Sequence, residues 1–100
     1  MFIAHVFFQV AQAHREQALA AVLAERPSVS AMRGCLVFVP FVDPADPTGL
    51  GIVHEWATEA DFLAYTASPG FAAVGRILRP LMTAAPRSRR FEATLCETVN

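Results

Sequence analysis

One hundred residues, 54% of them hydrophobic and 17% charged, read as a single domain more apolar and less charged than an ordinary soluble one. The net charge of −1, with only Arg87 to Arg90 (RSRR) locally basic, argues against nucleic-acid binding through phosphate neutralisation. No apolar run approaches the ~20 residues of a membrane helix, and MFIAHVFFQV lacks the basic start of a signal peptide, so a cytoplasmic protein is expected.

Phe2 to Val10 is rich in Phe, Val and Ile, which favours a strand. Phe2, Ala4, Val6, Phe8 and Val10 share one face, while Ile3, His5, Phe7 and Gln9 share the other. Both faces are largely apolar, and both need cover. Gln12 to Glu25 is built from good helix formers, with Leu19, Val22, Leu23 and Arg26 on one stripe thickened by Ala11, Ala18 and Ala21. Pro27 is expected to end this helix or force a new turn. Ser28 to Arg33 then connects to Gly34, a natural place for a positive φ.

Cys35 to Val42 (CLVFVPFV) is a continuous apolar run, read as a strand with two covered faces; Pro40, lacking an N–H, puts it at a sheet edge or ends it there. Asp43 to Gly51 is a loop by its Pro, Asp and Gly content, and Ile52 to Trp56 a short third strand. Thr58 caps a helix running to about Ala67, with Asp61 three residues on. Ser68-Pro69 opens a further helical segment, which Pro80 should kink. Ser88 to Val99 alternates as a last strand. Cys35 and Cys96 stand in no metal or redox spacing and read as buried thiols.

Strand, helix, strand, strand, helix, strand predicts a ferredoxin-like α+β fold: a four-stranded antiparallel sheet with helices on one face. The first and third strands are then central, and Cys35 and Cys96 sit on opposite edges, too far apart for a disulfide. Helices cover only one face, so the apolar second face predicts a two-fold homodimer packed sheet on sheet.

The segments GCLVFVPFVDPADP and IVHEWATEADFLAYTASPGF carry a resemblance to the antibiotic biosynthesis monooxygenase family. Its marks are Gly34-Cys35 entering the second strand, the acidic loop Asp43 to Asp46, Glu55-Trp56 ending the third strand, the Thr58 cap and the Ser68-Pro69 turn. The resemblance implies a dimeric α/β barrel. It also implies O₂ chemistry on a small aromatic or enolic compound, quinol-like or anthrone-like, without metal, flavin or other cofactor. The haem-degrading branch resembles an Asn, a Trp and a His where this chain has His5 or a neighbour, Tyr65 and Gly75, which leaves no His for iron. The anthrone-oxidising branch resembles this chain at Trp56, but Ile52 and Phe62 stand in place of its Asn and Tyr.

The residues expected to carry chemistry in that setting are His5, Trp56 and Tyr65, with Phe62, His54, Arg76 and Phe7 expected to bind substrate in a pocket between helices and sheet. Trp56 follows His54 by two residues on one strand face. A histidine, His54 or His5, is able to act as a base near neutral pH, and antiparallel pairing of the first and third strands would bring the two towards one another. Tyr65, as a phenol, is a donor rather than a base at pH 7. Two other readings stand beside the oxygenase: a non-catalytic binding or accessory module on the same scaffold, and a small-ketone isomerase using a His as proton shuttle.

Overall fold

The computed structural model describes residues 1–100. Strand β1 (Phe2–Gln9) leads through a 3₁₀ turn at Gln12–His14 into helix α1 (Arg15–Ser30). Strands β2 (Cys35–Val42) and β3 (Gly49–Trp56) follow, then helices α2 (Glu59–Thr66) and α3 (Pro69–Leu78), and last strand β4 (Arg87–Glu92). The sheet order is β2-β3-β1-β4 with every pair antiparallel, the ferredoxin-like arrangement the element order predicts.

The register divides the sheet into two faces. Phe2 pairs with Trp56, Ala4 with His54, Val6 with Ile52 and Phe8 with Leu50, and these residues point toward the helices. Ile3, His5, Phe7, Val39, Phe41, Val53 and Phe91 alternate with them on the opposite, uncovered face. Ala18, Val22 and Val29 of α1 close the helical side of the core, along with Phe62, Tyr65 and Leu78. Each large apolar side chain sealed there contributes about 1.5–3 kcal/mol.

Local signals hold where the chemistry is local. Thr58 Oγ1 accepts from the Asp61 N–H at 3.1 Å and Ser68 Oγ from the Phe71 N–H at 3.2 Å, so both helices start at their caps. Pro40 lies on β2, an edge strand, where its missing donor costs no ladder bond with a second neighbour. Leu36 is an extra residue there: Cys35 and Val37 pair with the consecutive Trp56 and Glu55, so Leu36 bulges out. Gly34 has φ 79°, and a Cβ there would run into the Asp61 carboxylate.

Five expectations are corrected. Helix α1 continues through Pro27 to Ser30, because Val29 is buried beneath its last turn and the carbonyl released by Pro27 belongs to Leu23 on the exposed side. Its buried stripe is Ala18, Val22, Glu25 and Val29, rotated away from Leu23 and Arg26, which are exposed. Strand β3 begins at Gly49 rather than Ile52, since Gly51 lets the Phe41 ring lie across the strand where a Cβ would meet it at 2.6 Å. Strand β4 ends at Glu92, opposite Phe2, because β1 offers nothing further to pair with. The Met1 ammonium donates to the Ala93 carbonyl at 2.6 Å, and beyond it Leu95 and Val99 are exposed. Cys96 on that tail is exposed and Cys35 half-buried; both are free thiols, and neither is the sealed thiol expected.

Replacing Gly34 by Ala forces a side chain into the left-handed region and against Asp61, and should lower unfolding free energy by about 1–3 kcal/mol in urea titration. A change within a few tenths would contradict this role.

Candidate functional site

A cavity of about 210 Å³ lies between the helical layer and the sheet. Val6 and Phe8 of β1, Ile52 and His54 of β3 and Phe62 and Tyr65 of α2 form its apolar floor and one wall. Polar groups enter from other elements: Glu25 from α1, Arg79 after α3, and Ser88 and Arg90 from β4. Apolar walls with a few converging polar groups are the ordinary make-up of a small-molecule site.

His54 is the organising side chain. It is 2% exposed, and its ring meets Phe38 and Phe62 at centroid distances of 5.5 Å and Tyr65 at 5.8 Å. Beneath it, Trp56 Nε1–H donates to His54 Nδ1 at 2.8 Å. An imidazole that accepts at Nδ1 carries its proton on Nε2 when neutral. Burial, then the Arg90 and His5 charges, push its pKa down to about 4, so the ring is neutral at pH 7. His54 therefore offers an N–H to the cavity and has no free lone pair to take a proton. His54 is thus a donor at pH 7 rather than the base its pKa in an open setting would make it.

Tyr65 stacks on Trp56 with centroids 5.4 Å apart, and Phe71 meets its ring edge at 5.2 Å. Burial drives its phenol pKa well above the usual value, assisted by the neighbouring Glu25 carboxyl, so it remains a donor. Arg90 places its guanidinium 4.9 Å from the centre of the Phe62 ring, a cation–π contact that holds the charge over the cavity's aromatic wall, and its Nε–H donates to Ser88 Oγ at 3.3 Å.

Of the seven residues expected from sequence, His54, Phe62 and Tyr65 line this cavity. Trp56 is fully buried and does not line it, reaching it through His54 and Tyr65. His5 and Phe7 are on the opposite sheet face: His5 pairs with Val53, one residue out of phase with the Ala4–His54 pair, so the two histidines point to different sides. Arg76 is exposed and away from the cavity, where Arg79 and Arg90 supply the cations. Glu25, Ser88 and Arg90 were missed. Glu25 falls seven residues after Ala18 and three after Val22, a helical spacing that does mark it as core-facing. Ser88 and Arg90 share a strand face by their two-residue spacing.

A second hollow of about 300 Å³ opens at the other end of the sheet, bordered by Phe7, Phe41, Asp43, Asp46 and Arg87. Its acids are already engaged. Asp46 accepts from Thr48 Oγ1 at 2.7 Å and from Gln9 Nε2 at 3.0 Å, which hold its carboxyl below the usual range, and Arg15 binds the carbonyls of Asp43 and Asp46. This is a clasped loop rather than a site for chemistry. No set of three or more His, Cys, Asp or Glu side chains is arranged to hold a metal ion, and no helix is long and apolar enough to cross a membrane.

The family model for antibiotic biosynthesis monooxygenases matches residues 1–76. Among solved structures, a "putative antibiotic biosynthesis monooxygenase" from Deinococcus radiodurans superposes with a TM-score of 0.90 at 19% identity, over 100% of this chain and 99% of that one. A protein of the same description from Nitrosomonas europaea gives 0.89 at 15% identity, over 95% and 100% of the two chains. A conserved protein from Methanosarcina mazei gives 0.86 at 15% identity, over 94% of each. At such identities these structures are alike in fold alone. No curated protein matches the sequence.

Protonating buried His54 is opposed by the fold, whereas in the unfolded chain it protonates near 6.5. Stability present above pH 6.5 should therefore fall as the pH drops from 6.5 towards 4, by up to about 3 kcal/mol. Denaturant titrations across this window should show the decline, and a His54→Phe variant should show a flatter one.

Proposed function

The chain belongs to the antibiotic biosynthesis monooxygenase family, and from that premise we propose that it oxidises a small phenolic or enolic compound with O₂ and no cofactor. The observation that carries this reading is the His54 Nε2–H donor, fixed in its tautomer by Trp56 and set beside the Arg90 cation in a largely apolar cavity. Such a pair of donors favours a substrate oxygen that becomes negative. An engineered apolar cavity of 150 Å³ holds benzene, so about 210 Å³ suits one aromatic ring with substituents or a compact two-ring quinol.

The chemistry needs no external reductant. The ionised substrate passes one electron to O₂, the resulting radical and superoxide join at a ring carbon, and the peroxide loses water. One oxygen atom of O₂ ends as a new carbonyl and the other as water, with every electron drawn from the substrate. The protein's part is to hold the anion, exclude bulk water and orient the ring.

The proposal includes a two-fold dimer joined through the uncovered sheet face. That face carries Phe7 at 43% exposed and Val39 at 39%, together with the Phe7–Phe41 and His5–Phe91 ring contacts. An apolar surface of this kind is a common mark of association, and a two-fold axis lets it cover itself.

Two measurements test the proposal. O₂ uptake with a panel of benzo- and naphthohydroquinones should exceed the rate without protein, and His54→Phe should lower kcat/KM by about 10²-fold. Background rates for the wild type with every member would refute the oxygenase. In sedimentation at micromolar concentration the wild type should run as a dimer and Phe7→Glu as a monomer; a wild-type monomer would remove the dimer.

A further inference from the structure

The donors of the cavity account for a bound anion but not for how the anion forms. His54 has Nδ1 engaged and a proton on Nε2, Tyr65 keeps its proton, and Arg79 and Arg90 are cations. One titratable group of the cavity wall is left, Glu25. It projects from the middle of α1 and is only 8% exposed. Its Oε1 is sealed from solvent and has no hydrogen-bond partner, and no cation is paired with it. Leaving a buried carboxylate oxygen unsatisfied is costly, and the Tyr65 hydroxyl serves the carboxyl from one side only, leaving Oε1 open.

We propose that Glu25 is the general base of this cavity, its free Oε1 removing the proton of a phenolic or enolic hydroxyl. The substrate O–H bond breaks, the Glu25 O–H bond forms, and the electron pair stays on the substrate oxygen. That oxygen is then held by His54 Nε2–H and the Arg90 guanidinium. The step is a proton transfer without oxidation, and it rests on reading the cavity as a site for hydroxylated aromatic or enolic compounds.

The surroundings suit the role. Burial raises the carboxyl's pKa, which narrows its gap to a phenol, while the Tyr65 hydroxyl beside it acts in the opposite, weaker sense. Tyr65 from α2 acts on Glu25 directly, and the other titratable or charged groups lining the same cavity are His54 from β3, Arg79 after α3 and Arg90 from β4. Two of them are fixed cations that favour an ionised substrate, and His54 stays neutral throughout the working range. Tyr65 is thus a positioning residue: it occupies one side of the carboxyl and tunes the base without meeting the substrate's proton.

The test uses the intact protein and 4-nitrophenol, whose phenolate absorbs in the visible while the neutral phenol does not. Below the pH at which the free probe ionises, the wild type should bind it as phenolate. Glu25→Gln, nearly the same shape and relieved of a buried charge, should also bind the phenolate, and the two proteins should differ in where the proton goes. Wild type should keep it on Glu25 and release none, whereas Glu25→Gln should release about one proton per probe bound, read by calorimetry in buffers of different ionisation enthalpy. Glu25→Asp should again retain the proton, and Tyr65→Phe should move upward the pH below which wild-type-like retention is lost, because the influence lowering the Glu25 pKa is gone. A wild type that releases as many protons as Glu25→Gln, or no saturable binding to the wild type, would overturn the assignment. The quinol panel separates this from the oxygenase reading. Proton retention that depends on Glu25 without O₂ uptake supports the base and removes the oxygenase, whereas uptake undiminished in Glu25→Gln removes the base and keeps the oxygenase.

Discussion

The register of β1 against β3 is the constraint on which the rest of this molecule depends. Pairing Phe2 with Trp56 and Ala4 with His54 puts the indole and imidazole on the helical face, two residues apart on one strand. A slip of one residue would turn His54 and Trp56 to the uncovered side and leave the helices packed on Val53 and Glu55. The hydrogen bond between the two rings, the neutrality of His54 and the shape of the cavity floor all follow from that alignment. Small residues make it feasible: Ala4 beneath the helices and Gly51 under the Phe41 ring leave room for aromatic neighbours.

The sheet thus separates two kinds of surface that share the same strands. Its covered face holds chemistry-bearing side chains in a low-dielectric space, where donors and unpaired carboxylates act strongly. Its open face is a plain apolar surface of phenylalanine and valine edged by arginines, suited to packing rather than to reaction. His5 illustrates the division. It lies on β1, next to the strand that carries His54, yet its neighbour is Phe91 on the open side.

Much of the fold was legible because its signals are local. Thr58 and Ser68 announce helix starts, Gly34 a left-handed turn, Pro40 an edge, and Cys35 to Val42 a strand that the structure reproduces residue for residue. What could not be read depends on partners distant in sequence. The end of β4 is decided by where β1 begins, which alternation within Phe91 to Val99 cannot reveal. The phase of His5 against His54 depends on how two strands align. The buried stripe of α1 was misjudged because Leu19, Leu23 and Arg26 outweighed Ala18, although a small residue is what lets the helix sit close to its neighbours. That misjudgement hid Glu25, an acid on a face otherwise made of Ala and Val. For the site, His54, Phe62 and Tyr65 could be found from the strand-to-helix junction, but the groups opposite them come from α1 and β4.

The single tryptophan of the chain is also the residue whose N–H fixes His54 and whose ring stacks on Tyr65. It is sealed from solvent, yet only one side chain separates it from the cavity. Its near-ultraviolet emission therefore comes from one known place, against both rings that border the cavity. The protein carries its own optical gauge of that cavity, with no label required.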